Sequence, residues 1–135
     1  MKFIGTTIIL TAIILLAACN TQPAPAGPQS TRLPADIDVA TAASLRGRED
    51  VVMLDVRTPE EYAEGHIPGV VLIPLAELPN RLAEVPKDKT LVVTCRSGNR
   101  SAQAAQLLRQ QGYDDVHNML GGIGAWQQAG LPVEK

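Results

Sequence analysis

The sequence predicts a single α/β domain built on a parallel sheet, and three observations carry that expectation. Short apolar runs recur along the chain as "VVMLDV" (51–56), "VVLIP" (70–74), "TLVVTC" (90–95) and "DVHNM" (115–119). They are continuous instead of alternating, as expected of strands covered on both faces. Helix-like segments lie between them, which is the order of a layered α/β domain. A chain of 135 residues, 45% hydrophobic and 19% charged, has room for one such core and no second domain of ordinary size.

The first residues read differently. Lys2 supplies a positive charge, and "FIGTTIILTAIILLAA" (3–18) is uncharged and mostly apolar. It is shorter than the roughly 20 residues a helix needs to cross a bilayer, so it predicts an export signal instead of a membrane anchor. Leu16, Ala17, Ala18 and Cys19 resemble the lipobox of bacterial lipoproteins, in which the cysteine is lipidated and becomes the first residue of the mature chain. That resemblance implies a signal peptide over 1–18, lipidation at Cys19, and a protein held by its lipid in the bacterial cell envelope, outside the cytoplasm, on the periplasmic face or the cell surface. From 19 to 33 the chain is rich in Pro, Ala, Gly, Gln and Ser with no apolar period, as in a spacer. The domain itself is expected over 34–135.

Within that domain the elements follow in order. After the strand at 51–56, Thr58, Pro59 and Glu61 form a capping-box pattern that opens a short helix. A second helical segment is expected from Leu75 to Val85, interrupted by Pro79. A third runs from about Arg100 to Gln111, with Ala104, Ala105, Leu107 and Leu108 on one side, three glutamines on the other, and Gly112 as its stop. The closing "GGIGAWQQAG" predicts a last short helix from Ile123, with Trp126 sealing the core.

Charge and cysteine content narrow the function. The 12 Lys and Arg do not outnumber the 14 Asp and Glu, so no basic excess is available for a nucleic-acid backbone. Of the 2 cysteines, lipidation would consume Cys19 and leave Cys95 without an internal disulfide partner. Cys95 stands at the carboxyl end of an expected strand, where open α/β sheets place their ligands. The loop "RSGNR" after it offers successive backbone N–H groups, a bend at Gly98, the positive end of a following helix dipole, and the cations Arg96 and Arg100. All of these favour a thiolate. A buried, inert cysteine is the competing reading, which the two arginines and the glycine weigh against. His66 and His117 show no ligand-like spacing to Cys95 or to each other, and no metal or organic cofactor is expected. Tyrosine-phosphatase-like loops place five residues between cysteine and arginine; here Arg100 follows after four, one short of a phosphate cradle.

"CRSGNRS", preceded by "DVRTPEEYAEGHIPG" and followed by "LGGIGAW", resembles a single-domain rhodanese, a thiosulfate sulfurtransferase-like protein, over about Ile37 to Leu131. The resemblance implies a rhodanese-like α/β fold, a five-stranded parallel sheet flanked by helices on both faces. It implies Cys95 as the sulfur-carrying nucleophile of a six-residue loop, taking sulfane sulfur from a small anionic donor such as thiosulfate as a persulfide. A thiol or cyanide then accepts that sulfur. The backbone N–H groups of Arg96, Ser97, Gly98, Asn99 and Arg100 are expected around the sulfur. Arg96 is the side chain expected to draw in the donor, with Arg100 second because it can turn back onto an acidic neighbour. Arg57 is expected to pair with Glu60 or Glu61, His66 to fix a turn, and His117 to lack a chemical partner. Two alternatives remain open at this level: a non-catalytic docking module, against which the complete loop argues, and a relay of persulfide to a specific protein thiol.

Overall fold

The computed structural model describes residues 32–135. The expected signal peptide, Cys19 and nearly all of the spacer lie outside the described residues. Five parallel strands form one sheet in the order β1-β5-β4-β2-β3, comprising β1 (Asp36–Ile37), β2 (Val51–Asp55), β3 (Val71–Leu72), β4 (Thr90–Thr94) and β5 (Val116–Met119). Four α-helices accompany them: α1 (Val39–Leu45), α2 (Pro59–Glu64), α3 (Asn99–Gln110) and α4 (Gly122–Gln128). The five-stranded parallel sheet with helices on both faces is as the resemblance implied.

Strand alternation sorts side chains into two cores. Leu54, Leu91 and Val93 point to the face covered by α3, where Ala104, Ala105 and Leu108 pack with Tyr113 and Leu78. Their neighbours Met53 and Val92 point the other way, against Ala42 and Leu45 of α1 and Ile123 and Trp126 of α4. Because both faces are filled, β2 and β4 have no polar side, which accounts for their continuous apolar runs. Trp126 is fully buried, and its indole N–H donates to the Pro132 carbonyl at 2.9 Å. The expected stop of α3 is present, with Gly112 at φ +82°.

Two parts differ from expectation. The segment from Leu75 to Val85 is not one interrupted helix but two single 3-10 turns, Leu78–Asn80 and Leu82–Glu84. Pro79 has no N–H to continue a ladder, and each turn closes on i→i+3 bonds instead. β1 and α1 had no counterpart in the sequence reading, since a two-residue strand has no period to detect. α1 is nonetheless capped by Asp38, whose carboxylate accepts from the Thr41 N–H at 2.7 Å.

Candidate active site

Strand β4 ends at Thr94 and hands Cys95 to the carboxyl edge of the sheet, where the loop 95–100 turns into α3. Cys95 is almost wholly enclosed. Gly98, at φ +100°, is the residue before α3 and donates its N–H to the Cys95 sulfur at 3.1 Å. A side chain there would be strained by that φ, and its Cβ would lie 3.2 Å from the Gly121 nitrogen.

The loop is turned inward by what holds its outer side. The Ile123 N–H donates to the Cys95 carbonyl at 2.8 Å, and the Gly124 N–H to the Arg96 carbonyl at 3.1 Å. With these carbonyls bound to the start of α4, N–H groups of the loop are left to face the sulfur. The "LGGIG" motif is what permits that contact: a Cβ on Gly122 would stand 2.3 Å from the Cys95 oxygen and 2.6 Å from the Arg96 carbonyl carbon.

Ser101, in the first turn of α3 and fully buried, places its hydroxyl 3.3 Å from Sγ. Burial pushes the Cys95 thiol up. The Ser101 hydroxyl and the N–H groups of Ser101, Ser97 and Gly98 pull it down further, leaving it below its ordinary value. Ser101 was absent from the sequence-derived site. The available signal was a hydroxyl one position beyond the loop, on the helix turn nearest the cysteine. Asn118 was also missed, although a buried amide within the apolar strand β5 requires polar partners.

The two loop arginines differ. Arg100 is tied to Glu61 by two bonds of 2.7 Å, as the sequence reading allowed. Arg96 is the exposed cation, its side chain 71% accessible and 3.9 Å from Glu61. It stands beside a cleft of about 270 Å³ that Arg57, Glu64, Ile123 and Gln127 also line.

Arg57 corrects an expectation. Its guanidinium pairs not with the Glu60 or Glu61 carboxylate but with Asp55, through contacts of 2.6 and 3.0 Å, both residues being buried. The remaining donors reach the Glu61 and Gly65 carbonyls at 3.1 and 2.9 Å. Two residues apart at the end of β2, Asp55 and Arg57 are already adjacent, so the pair forms without ordering a longer segment. It braces α2 against the sheet. His66 fixes its turn through Nδ1 and the Tyr62 carbonyl at 3.1 Å, and it stacks on the Tyr62 ring. His117 does have partners, contrary to expectation: Asp115 at 2.8 Å and the Pro34 carbonyl at 2.6 Å.

With this geometry in hand, likeness to known proteins is decisive for the family. Residues 38–129 match the rhodanese-like domain. The chain belongs to the rhodanese-like domain family. A sulfurtransferase of Allochromatium vinosum is 49% identical over 66% of this chain and 83% of its own length. The thiosulfate sulfurtransferase GlpE of Pseudoalteromonas translucida is 38% identical over 69% of this chain and 89% of its own. The crystal structure of a rhodanese-related protein from Thermoplasma volcanium superposes with a TM-score of 0.69 at 34% identity, covering 75% of this chain and 98% of that one. The rhodanese match spans β2, the capping box, the Cys95 loop and the start of α4, the parts that build the enclosure around the sulfur.

Proposed function

We propose that this rhodanese domain is a sulfurtransferase that carries sulfane sulfur on Cys95. The observation that supports it most is the enclosure of Sγ: a buried sulfur with an N–H donor at 3.1 Å and a hydroxyl at 3.3 Å, its thiol held below the usual range. Such a site favours an anion on sulfur in both the thiolate and the persulfide form. The Cys95 thiolate attacks the outer sulfur of thiosulfate, the S–S bond of the donor breaks, and sulfite leaves with the electron pair. The Cys95 persulfide then gives its terminal sulfur to cyanide or a thiol, and the thiolate returns. Charge balances at each step and no oxidant is needed. Arg96, exposed beside the cleft, attracts the dianionic donor, while the N–H groups of Arg96, Ser97, Gly98, Asn99 and Arg100 stabilise the sulfur anion.

The relatives' names favour sulfur transfer as the general chemistry; thiosulfate as donor is this reading's own step. Among the described residues Cys95 is the only cysteine, so a protein or small-molecule thiol that takes the sulfur must come from outside that set. A persulfide relay to a partner's thiol uses the same first half-reaction.

The test is intact-mass measurement of the full chain after exposure to thiosulfate. One added sulfur, removed by cyanide and absent from Cys95→Ser, is the expected result. An adduct of equal size on Cys95→Ser would place the sulfur on a residue other than Cys95 and overturn the reading, as would no adduct on the wild type.

A further inference from the structure

Ser101 has one hydroxyl proton and two acceptors within reach. Its Oγ lies 3.3 Å from the Cys95 sulfur and 2.6 Å from Asn118 Oδ1. Which acceptor holds the proton depends on how the Asn118 amide is turned, and that is decided by Asp36. Asp36 Oδ1 lies 2.9 Å from Asn118 Nδ2. A carboxylate only accepts, so the amide must present its NH₂ to Asp36 and its carbonyl to Ser101. The register of β1 on β5 sets Asp36 beside Asn118, which makes the arrangement a product of the sheet. Ser101 and Asn118 are buried, whereas Asp36 is exposed.

We propose that Asp36, acting through Asn118, sets how much of the Ser101 hydroxyl proton reaches the Cys95 sulfur, so that Asp36 and Asn118 are positioning residues for the thiolate and the persulfide. With the proton on Asn118, Ser101 shows the sulfur a lone pair, which suits a neutral S–H. As the sulfur becomes anionic the hydroxyl swings toward it, and the Asn118 carbonyl gives up its donor. The Asp36–Asn118 bond therefore opposes ionisation of Cys95 and moderates the loop N–H groups that favour it. The charged groups that face the loop are Asp55 at the end of β2, Arg57 just after it, Glu61 and Glu64 on α2, Arg96 on the loop, Arg100 on α3 and Asp36 on β1. His117 on β5 faces Asp115 and Pro34. The inference rests on the sulfurtransferase reading only for its bearing on the persulfide; its effect on the thiol stands alone.

In Asp36→Asn the new side chain can offer either end of its amide, so Asn118 is free to turn its NH₂ to Ser101 and release the hydroxyl proton to sulfur. The measurement is the pH–rate profile for alkylation of Cys95 by iodoacetamide in the full chain, followed by mass on the peptide that contains it. D36N should move the profile to lower pH, with alkylation at about pH 6 faster by about threefold to tenfold. S101A should move it to higher pH. The D36N/S101A double variant should superpose on S101A, because without the hydroxyl Asp36 has no route to the sulfur. Acceleration by D36N that persists on the S101A background would be a direct charge effect and would overturn the proposal, as would a D36N profile that matches the wild type. If S101A does not fold, N118A takes its place: without the Asn118 amide D36N should add no further shift, and a shift that persists would overturn the relay. Alkylation needs no sulfur donor, so these results stand apart from the thiosulfate adduct.

Discussion

Glu61 and Arg100 meet as a two-pronged pair, each carboxylate oxygen 2.7 Å from its own guanidinium nitrogen, and Glu61 also closes the capping box of α2 by accepting from the Thr58 N–H at 3.2 Å. One carboxylate thus fastens the start of α2 to the start of α3, across the mouth of the Cys95 loop. The Arg100 guanidinium pulls the Glu61 carboxyl down to about 2, more strongly than burial pushes it up.

That pair predicts an acid signature. Glu61 in the unfolded chain titrates near about 4.3, so the folded state binds its proton more weakly. The contribution to stability is complete above about pH 4.3 and disappears as pH falls toward about 2. Glu61→Gln should lower stability at pH 7 by about 1–2 kcal/mol, through loss of the pair and weakening of the cap. Denaturant titrations of both proteins should show the gap closing between pH 4 and 2. A gap that stays constant over that range would exclude the ion pair as its source.

Arg96 and Arg100 should separate kinetically. Arg96 is exposed and meets Glu61 only at 3.9 Å, while Arg100 is held by Glu61 at 2.7 Å. Arg96→Ala should raise KM for thiosulfate by about threefold to tenfold with little change in kcat, and should flatten the dependence of kcat/KM on salt. A loss confined to kcat would place Arg96 in the chemical step instead of in capture.

Anchoring makes a separate prediction. The lipidation of Cys19 that the lipobox resemblance implies would tie the protein to a membrane, since each buried methylene adds about 0.8 kcal/mol and several chains hold far more firmly than one. Cys19→Ala, expressed in a bacterium that processes lipoproteins, should lose the mass of the acyl chains from its N-terminus and leave the membrane fraction. Unchanged membrane association would exclude the lipid as the anchor.

What was legible in the sequence followed from local physics. The strands of the sheet centre announced themselves because burial on both faces demands unbroken apolar runs, and the capping box from Thr58 to Glu61 is a four-residue pattern. Cys95 and its loop were readable as a candidate site because the backbone donors and cations that favour a thiolate are contiguous in this sequence, from Cys95 to Arg100. What stayed hidden depends on how side chains are turned and packed in the folded chain. Asp55, not Glu60 or Glu61, holds the Arg57 guanidinium because the end of β2 turns the two side chains together. Ser101 and Asn118 are 17 positions apart and become a pair only when α3 packs on β5. Likewise, "GGIGAWQQAG" read only as a last short helix, and only packing shows that Gly122 makes room for the backbone of Cys95 and Arg96.

Gly122 is therefore the sharpest test of how the loop is held. It has φ +56°, and a Cβ would fall 2.3, 2.6 and 2.7 Å from the Cys95 oxygen and the Arg96 carbonyl carbon and oxygen. These are backbone atoms of the loop, not the movable end of a side chain, so Gly122→Ala must push α4 away from it. The bonds from Ile123 and Gly124 to the Cys95 and Arg96 carbonyls would lengthen together. Two weakened buried bonds and a strained φ should cost about 2–4 kcal/mol. The loop N–H groups would also lose their inward set, so Cys95 alkylation near neutral pH should slow even in protein that remains folded. Gly130→Ala, with φ +71° but nothing within 4 Å of its Cβ, separates strain from displacement. It should lose stability through backbone strain alone and leave the alkylation rate of Cys95 as in the wild type. Equal slowing in both variants would mean that α4 does not hold the loop.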